Sequence, residues 1–154
     1  ILLLITIIAT SCDGGDRDRI PAAAVRVEFA NQAMWDLYGV SGSFIHRRFI
    51  RNQKIPAGFP YTQSSATGYG GLMLVTNGEN VPYVYDLCCP VEINSNIRIE
   101  FDENNFCLRC PKCGSTYDIT TGGPMTGTAK DGRYFLQSYN IAPYGSAGGQ
   151  LIYR

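Results

Sequence analysis

The sequence predicts an all-β fold, an antiparallel sandwich or small barrel built from short strands and hairpins. Apolar and polar residues alternate in several short runs, which is typical of half-buried strands. Turn-forming residues separate these runs at short intervals, as they do in hairpin-rich domains. The chain of 154 residues is long enough for one domain with its own core, and no internal repeat divides it. We therefore expect a single domain.

The first half of the fold begins with a predicted strand at 24–29, AVRVEF, in which apolar and polar residues alternate. Residues 31–39 favour a helical turn, and residues 43–51 favour a strand. Two prolines and several glycines interrupt residues 55–71, which predicts a long surface loop. In a compact domain, a loop of this length is commonly a packed excursion or a functional segment.

Two hairpins are predicted in the middle of the chain. In residues 71–87, two β-rich runs flank Asn77 and Gly78, whose tolerance of positive φ predicts a tight turn. In residues 96–110, alternating apolar residues precede Asp102–Asn105, which supply the turn chemistry before the next strand. Cysteines lie at the end of each hairpin, so the positions of the hairpins set the positions of those thiols.

The C-terminal part of the chain predicts two further strands. They lie at 133–141 and 150–154, and a Gly- and Pro-containing stretch separates them. Together with the earlier runs they complete an all-β domain over residues 20–154.

Charge and composition exclude several classes of function. Thirteen basic residues balance thirteen acidic ones, so no sequence-wide field draws the chain to nucleic acid. The single histidine leaves little material for a Ser–His–Asp constellation. The acidic residues near the predicted turns are expected to be hairpin and turn residues rather than an acid–base pair: Asp86, Glu92, Asp102 and Glu103. We therefore expect no enzymatic activity and no nucleic-acid partner.

The N-terminal residues indicate export. Residues 1–8 form an apolar run, and residues 9–12, ATSC, resemble a bacterial lipobox, in which a lipid is attached to the cysteine. The run is too short for a mature membrane-spanning helix. The resemblance implies that residues 1–11 are a truncated lipoprotein signal peptide. It also implies that Cys12 is lipidated and that residues 12–19 form the lipidated cysteine and a charged tether.

The location implied by a lipobox is the bacterial cell envelope, either periplasmic or surface-exposed. The expected partners are the membrane, through the lipid anchor, and a protein that the sequence does not identify. Outside the cytoplasm unpaired thiols tend to oxidise, so the remaining cysteines are expected to be bridged, metal-bound or buried. These are Cys88, Cys89, Cys107, Cys110 and Cys113.

Cys110 and Cys113 form a C-x-x-C-G motif with Gly114, the form of a metal-binding knuckle. Two intervening residues let both sulfurs reach one tetrahedral ion, and the glycine permits a close backbone turn. Cys88 and Cys89 lie upstream, at the end of the first hairpin. Because adjacent cysteines rarely ligate one ion without strain, we expect one of them to point at the site and the other into the core.

Two segments of the chain resemble the ligand loops of Rieske iron–sulfur domains. Residues 110–127, CPKCGSTYDITTGGPMTG, resemble the second loop, where Cys-x-x-His-Gly-Ser is followed by an aromatic residue, Asp and a Gly- and Pro-rich segment. Residues 81–92, VPYVYDLCCPVE, resemble the first loop, which carries Cys-x-His after a strand. Residues 71–141 match the family in order and spacing. The resemblance implies a Rieske-like fold in an envelope lipoprotein.

The chain departs from that family at the histidine ligands. Rieske clusters use two cysteines on one iron and two histidines on the other. Cys113 stands where the second loop carries histidine, and Pro90 or Val91 stands at the histidine position of the first loop. His46 is the single histidine, and it is expected on a strand surface rather than as a ligand.

Three interpretations of the cysteines remain open, and they rank as follows. In the first, no cofactor binds and a disulfide pins the two loops. In the second, zinc is held by Cys110, Cys113 and one of the vicinal pair, with Cys107 as a further candidate ligand and otherwise a core residue. In the third, an all-thiolate [2Fe-2S] cluster is held by the four cysteines of the two loops: Cys88, Cys89, Cys110 and Cys113.

The function that follows is a membrane-anchored, non-enzymatic structural or interaction module whose loops are pinned by a disulfide or by zinc. The alternative is an electron-transfer protein with an all-cysteine [2Fe-2S] cluster. The missing histidines favour the structural module.

Overall fold

The structure is a computed structural model that describes residues 14–154. The predicted signal peptide and the predicted lipidation site at Cys12 lie outside the described residues. Among residues 14–154, no helix has the length and apolar character needed to cross a membrane.

The described chain is mostly β, with two short α-helices and one 3-10 turn at Arg51–Gln53. The helices are α1 (Gln32–Tyr38) and α2 (Gly127–Gly132). The strands are β1 (Val25–Phe29), β2 (His46–Phe49), β3 (Ala66–Thr67), β4 (Leu72–Thr76), β5 (Pro82–Asp86), β6 (Glu100–Asp102), β7 (Cys107–Arg109), β8 (Thr116–Tyr117), β9 (Pro124–Thr126), β10 (Ser138–Tyr144) and β11 (Gly149–Tyr153).

The strands form two antiparallel sheets. The large sheet has the order β2-β4-β5-β10-β11-β1-β3, and the small sheet has the order β6-β7-β8-β9. The large sheet is nearly closed, since the backbone N–H of Arg51, just after β2, donates to Oγ1 of Thr67 in β3 at 3.3 Å. The predicted all-β antiparallel fold is therefore confirmed.

Two apolar clusters fill the interior. One lies within the curve of the large sheet, where Phe29 contacts Phe49 and Phe59 edge-to-face at ring-centroid distances of 5.6 and 5.5 Å. The other joins the two sheets, because it combines Met73 and Tyr85 of the large sheet with Leu108 of the small one. The second cluster also contains two of the loop cysteines, so the cysteine loops rest on the core.

Most predicted elements are confirmed. Residues 24–29 contain β1, whose side chains alternate between buried and partly exposed, as the sequence pattern requires. The predicted helical turn is α1, which Asn31 caps by accepting a hydrogen bond from the Met34 N–H at 2.9 Å. The predicted strands at 43–51 and 150–154 are β2 and β11.

The predicted tight turn of the first hairpin is wrong, although the hairpin itself is confirmed as β4 and β5. The strands end at the pair Thr76 and Pro82, which leaves a five-residue loop. The Asn77 side chain organises this wider turn by accepting hydrogen bonds from the N–H groups of Glu79 and Val81 at 3.0 and 2.9 Å. Asn80, rather than the Asn77-Gly78 pair, adopts the positive φ of 62°.

Two further differences concern the C-terminal part. The predicted strand at 133–141 begins only at Ser138, because residues before it bond elsewhere. The N–H of Phe135 donates to the Asp16 carbonyl at 2.9 Å, and that of Leu136 donates to the Gly122 carbonyl at 3.0 Å. The short helix α2 was not predicted.

The described part of the predicted tether does not extend away from the domain. Residues 14–19, which we call the N-terminal strap, run beside Arg133–Phe135. Asp16 donates its N–H to the Arg133 carbonyl at 2.9 Å and accepts from the Phe135 N–H, forming a parallel bridge at Tyr134. This segment is therefore part of the folded surface.

Candidate metal centre

The first cysteine loop, residues 87–98, follows β5 and folds back on itself. Cys88 pairs with Arg98 across the base of the loop in an isolated antiparallel bridge. The Cys89 N–H donates to the Ile97 carbonyl at 3.2 Å, and the Cys89 carbonyl accepts from the Ile93 N–H at 2.9 Å. These bonds satisfy the backbone of a loop that leaves the sheet, and they fix the path of the chain at Cys89.

The second cysteine loop, residues 110–115, connects β7 to β8. The Cys110 N–H donates to the Ser115 carbonyl at 3.0 Å, and the Gly114 N–H donates to the Cys110 carbonyl at 3.0 Å. Gly114 adopts a φ of 72°, a left-handed conformation that glycine takes without steric cost. The knuckle predicted from the C-x-x-C-G motif therefore forms as a closed turn between two strands.

The two loops bring three thiols together. The Sγ atoms of Cys89, Cys110 and Cys113 all lie within 4.8 Å of one another. Cys89 and Cys113, which belong to different loops, are 3.7 Å apart at sulfur. Cys89 and Cys110 are fully buried, whereas Cys113 is partly exposed, so the cluster lies at the edge of the core.

The other two predicted site cysteines are not part of this cluster. The Cys88 thiol is buried and contacts the carbonyl oxygen of Cys89 at 3.6 Å, so the vicinal pair points in two directions. Cys107 is buried on β7. All five cysteines are free thiols in the described chain, and the disulfide stays a prediction.

His46 is not part of the three-thiol cluster. It is on β2, and its ring stacks on Phe101 with a centroid distance of 4.6 Å and an interplanar angle of 16°. Burial lowers the pKa of His46 from its ordinary value, while the nearby Glu103 acts in the opposite direction. The described metal-ligating group contains no histidine.

The thiols differ in how readily they ionise. Burial raises the pKa of both Cys88 and Cys110 to about 12, and it also raises that of Cys107. For Cys113 burial acts to raise the pKa, but hydrogen bonds from Ser115 and from the other two cluster thiols outweigh it and lower the pKa. A bound cation would shift this balance further, because metal coordination deprotonates thiols.

A buried tyrosine completes the polar surroundings of the cluster. The Tyr117 hydroxyl lies 3.6 Å from the Cys89 sulfur, and its side chain is fully buried. Burial raises the pKa of Tyr117, so this group stays a protonated phenol that can donate a hydrogen bond to a thiolate.

A salt bridge and a carboxylate hold the loops in place. Lys112 of the second loop pairs with Glu92 of the first, with 3.0 Å between Nζ and Oε2. Asp86, at the end of β5, accepts from the N–H groups of Tyr69, Gly70 and Cys88 at 2.7, 2.8 and 2.8 Å, and from the Tyr139 hydroxyl at 2.9 Å.

The expectation that Asp86 is a hairpin residue is confirmed, since Asp86 ends β5 of the β4–β5 hairpin, but its complete burial was not expected. Its burial raises its pKa, against the opposing effect of its four hydrogen bonds. The sequence signal for a buried carboxylate was a single acidic residue directly after the apolar strand run PYVY. Because a buried carboxylate requires several hydrogen-bond donors, an acidic residue in this position indicates that several backbone N–H groups donate to it.

The three thiols could hold a single metal ion or supply ligands to an iron–sulfur cluster. A [2Fe-2S] cluster takes four protein ligands, two on each iron, whereas the described cluster supplies three sulfurs within 4.8 Å of one another. With zinc–sulfur bonds of about 2.3 Å in tetrahedral geometry, two sulfurs on one ion lie about 3.8 Å apart. The 3.7 Å separation of Cys89 and Cys113 matches that spacing.

The site and fold together define an all-β domain with a three-thiol centre at the edge of its core. No protein-family model matches the chain, and no curated protein matches it. Among solved structures, the chain is similar to the ferredoxin of carbazole 1,9a-dioxygenase from Nocardioides aromaticivorans IC177. That match has 16% identity and a TM-score of 0.42, and it covers 83% of this chain and 96% of the ferredoxin chain. The chemistry of the site therefore has to follow from its own residues.

Proposed function

We propose that this protein is a zinc-binding structural module in which Cys89, Cys110 and Cys113 hold one ion. The observation that carries this proposal is the convergence of three sulfurs from two loops within 4.8 Å of one another. Soft thiolate ligands around one tetrahedral point suit zinc. The three cysteines would supply three of the four ligands of a tetrahedral ion.

The ion would act as a crosslink between the two cysteine loops. Cys89 contributes from the first loop, and Cys110 and Cys113 contribute from the second. The Lys112–Glu92 salt bridge joins the same loops at 3.0 Å but is largely exposed at its lysine end, so it adds little by itself. Structural zinc, by contrast, contributes its binding energy directly to folding.

The module is further proposed to be a Rieske-like domain without the histidine ligands, carried by a lipid-anchored envelope protein. The order of the two cysteine loops along residues 71–141 supports the Rieske-like part of this proposal. The apolar run and Cys12 support the lipid anchor. Loss of membrane attachment in Cys12→Ser tests the anchor independently of zinc.

Metal analysis of the protein purified under anaerobic conditions tests the zinc proposal. We expect one zinc per chain and a colourless solution, because zinc has no visible thiolate bands of the kind that iron produces. Cys89→Ala, Cys110→Ala and Cys113→Ala should each lose most of the zinc. Cys88→Ala and Cys107→Ala are matched controls, since both thiols are buried but lie outside the cluster, and they should retain zinc.

Two outcomes would contradict the proposal. Visible absorption with two irons per chain, lost in Cys88→Ala as well, would support the electron-transfer alternative. A metal-free protein in which thiol titration finds Cys89 and Cys113 oxidised would support the disulfide, which the 3.7 Å sulfur separation makes the nearest pair to test.

A further inference from the structure

The N-terminal strap, residues 14–19, makes specific contacts with the domain. Besides the backbone bridge at Asp16, its two arginines stack on neighbouring aromatic rings. The guanidinium carbon of Arg17 lies 3.9 Å from the ring centroid of Phe135, and that of Arg19 lies 3.7 Å from that of Tyr134. The strap is thus held by two similar cation–π contacts.

Gly15 shows how closely the strap packs. A Cβ atom built on Gly15 would collide with the ring of Phe135, so only glycine allows this approach without displacing the ring. The strap therefore has one well-defined path across Arg133–Phe135.

Arg19 differs from Arg17 in reaching the first cysteine loop. Its Nε donates to the carbonyl oxygen of Pro90 at 2.8 Å, and Pro90 is buried and directly follows Cys89. Asp16 lies 3.9 Å from the Arg19 guanidinium and helps to orient it. Arg19 is only 24% exposed at its side chain, which strengthens a hydrogen bond from a charged donor.

We propose that Arg19 is a positioning residue of the cysteine site. By binding the Pro90 carbonyl, Arg19 fixes the Pro90–Val91 peptide, one residue beyond Cys89, and thereby helps to hold the Cys89 thiol in place. The Cys89–Pro90 peptide has no N–H group to donate, and its carbonyl accepts from the Ile93 N–H at 2.9 Å, so the Arg19 bond adds a second fixed point on the far side of Pro90. The strap and the metal centre are then one unit, in which a contact far away in sequence orients a ligand.

The test compares Arg19→Ala with Arg17→Ala in the full chain. Both substitutions remove one cation–π contact of the strap, but only Arg19→Ala removes the hydrogen bond to Pro90. The first readout is zinc affinity by competition with a chelator, and this arm depends on the proposed function. We expect Arg19→Ala to weaken zinc binding roughly tenfold, as loss of an orienting contact to a metal ligand commonly does, and Arg17→Ala to leave it unchanged.

The second readout needs no metal. In zinc-free protein, alkylation of Cys89 should be several-fold faster in Arg19→Ala than in the wild type or Arg17→Ala, with the rates measured site by site by mass spectrometry. Cys107 is the internal reference, since it is buried on β7 and not part of the cluster. Its rate should not change if the effect of Arg19→Ala is local.

Equal Cys89 rates in Arg19→Ala and Arg17→Ala would overturn the proposal. A parallel rise at Cys107 would also overturn it, because the substitution would then act through global stability. A wild-type protein that binds no zinc would instead contradict the proposed function, and the alkylation rates would still decide the role of Arg19.

Discussion

At the scale of single residues, the buried carboxylate of Asp86 is expected to contribute strongly to stability. This carboxylate accepts hydrogen bonds from three backbone N–H groups and from Tyr139, and so joins the segment around Tyr69 to the first cysteine loop. An unmade hydrogen bond of a buried group costs the full desolvation of that group.

We predict that Asp86→Asn lowers the free energy of unfolding by roughly 2–4 kcal/mol, because an amide has one acceptor oxygen and turns an NH2 group toward the remaining donors. Urea denaturation measures this change. Asp36→Asn is the control: Asp36 is exposed on α1 and accepts one bond, from Gln32 at 2.7 Å. If Asp86→Asn lowers the free energy of unfolding no more than this control does, the stabilising role of the four Asp86 hydrogen bonds is contradicted.

The choice between Cys88 and Cys89 shows where sequence reasoning stops at this scale. The adjacent pair predicts that the two thiols point apart, but not which one joins Cys110 and Cys113. Cys89 is held in place by backbone bonds to Ile97 and Ile93, partners that lie beyond the cysteine pair and carry no recognisable motif. The contact of Arg19 with Pro90 was likewise invisible, since 71 residues separate them.

At the scale of elements, the β6–β7 hairpin depends on one carboxylate at its turn. Asp102 accepts from the N–H groups of Asn104 and Asn105 at 3.1 and 3.2 Å and pairs with Arg109 Nε at 2.8 Å. Hydrogen bonds from the Asn105 side chain and from Arg109 lower the pKa of Asp102 to about 2, from an ordinary value of 3.8.

This pKa shift predicts a pH dependence. Because the folded state has the lower pKa, the contribution of Asp102 to stability is fully present above pH 4 and is lost as the pH falls toward 2. The difference in unfolding free energy between wild type and Asp102→Asn should therefore be constant from pH 5 to 7 and should shrink below about pH 4. Urea titrations at several pH values measure it, and a constant difference down to pH 2 would count against this assignment.

Elements with a local pattern were predictable, and elements that depend on distant partners were not. The alternating run of β1 and the turn chemistry after β6 lie within a few residues, so propensity and periodicity reveal them. The start of β10 at Ser138 depends instead on bonds from Phe135 and Leu136 to Asp16 and Gly122. The five-residue loop after β4 likewise depends on the hydrogen bonds that the Asn77 side chain makes. These bonds stabilise a wider loop than the tight turn that Asn77 and Gly78 predict.

At the scale of the whole molecule, the two sheets share one apolar cluster. Leu108 of the small sheet is fully buried in it, together with Met73 and Tyr85 of the large sheet. The hydroxyl of Tyr85 also donates to the Ile119 carbonyl, just after β8, at 2.7 Å. The sheets are therefore expected to unfold as a single cooperative unit.

We predict that Leu108→Ala lowers the free energy of unfolding by about 2–5 kcal/mol, through lost burial and the cavity it leaves. In the wild type, two probes should give the same urea midpoint as each other. They should also agree with each other in the variant, although its midpoint is lower. Fluorescence of Trp35, whose ring lies 5.0 Å from that of Phe29, reports on the large sheet, and the reactivity of Cys107 reports on the small one. Separate midpoints, with only the Cys107 signal shifted in the variant, would show that the small sheet unfolds alone.

The close packing of Gly15 on Phe135 also limits how far the domain could stand from a lipid anchor. Consecutive Cα atoms are 3.8 Å apart, so the three peptide steps from Cys12 to Gly15 span at most about 11 Å. If Cys12 carries acyl chains, as proposed, the bilayer surface would lie close to the strap. The first cysteine loop, which the same strap contacts through Arg19, would then also lie near the lipid headgroups.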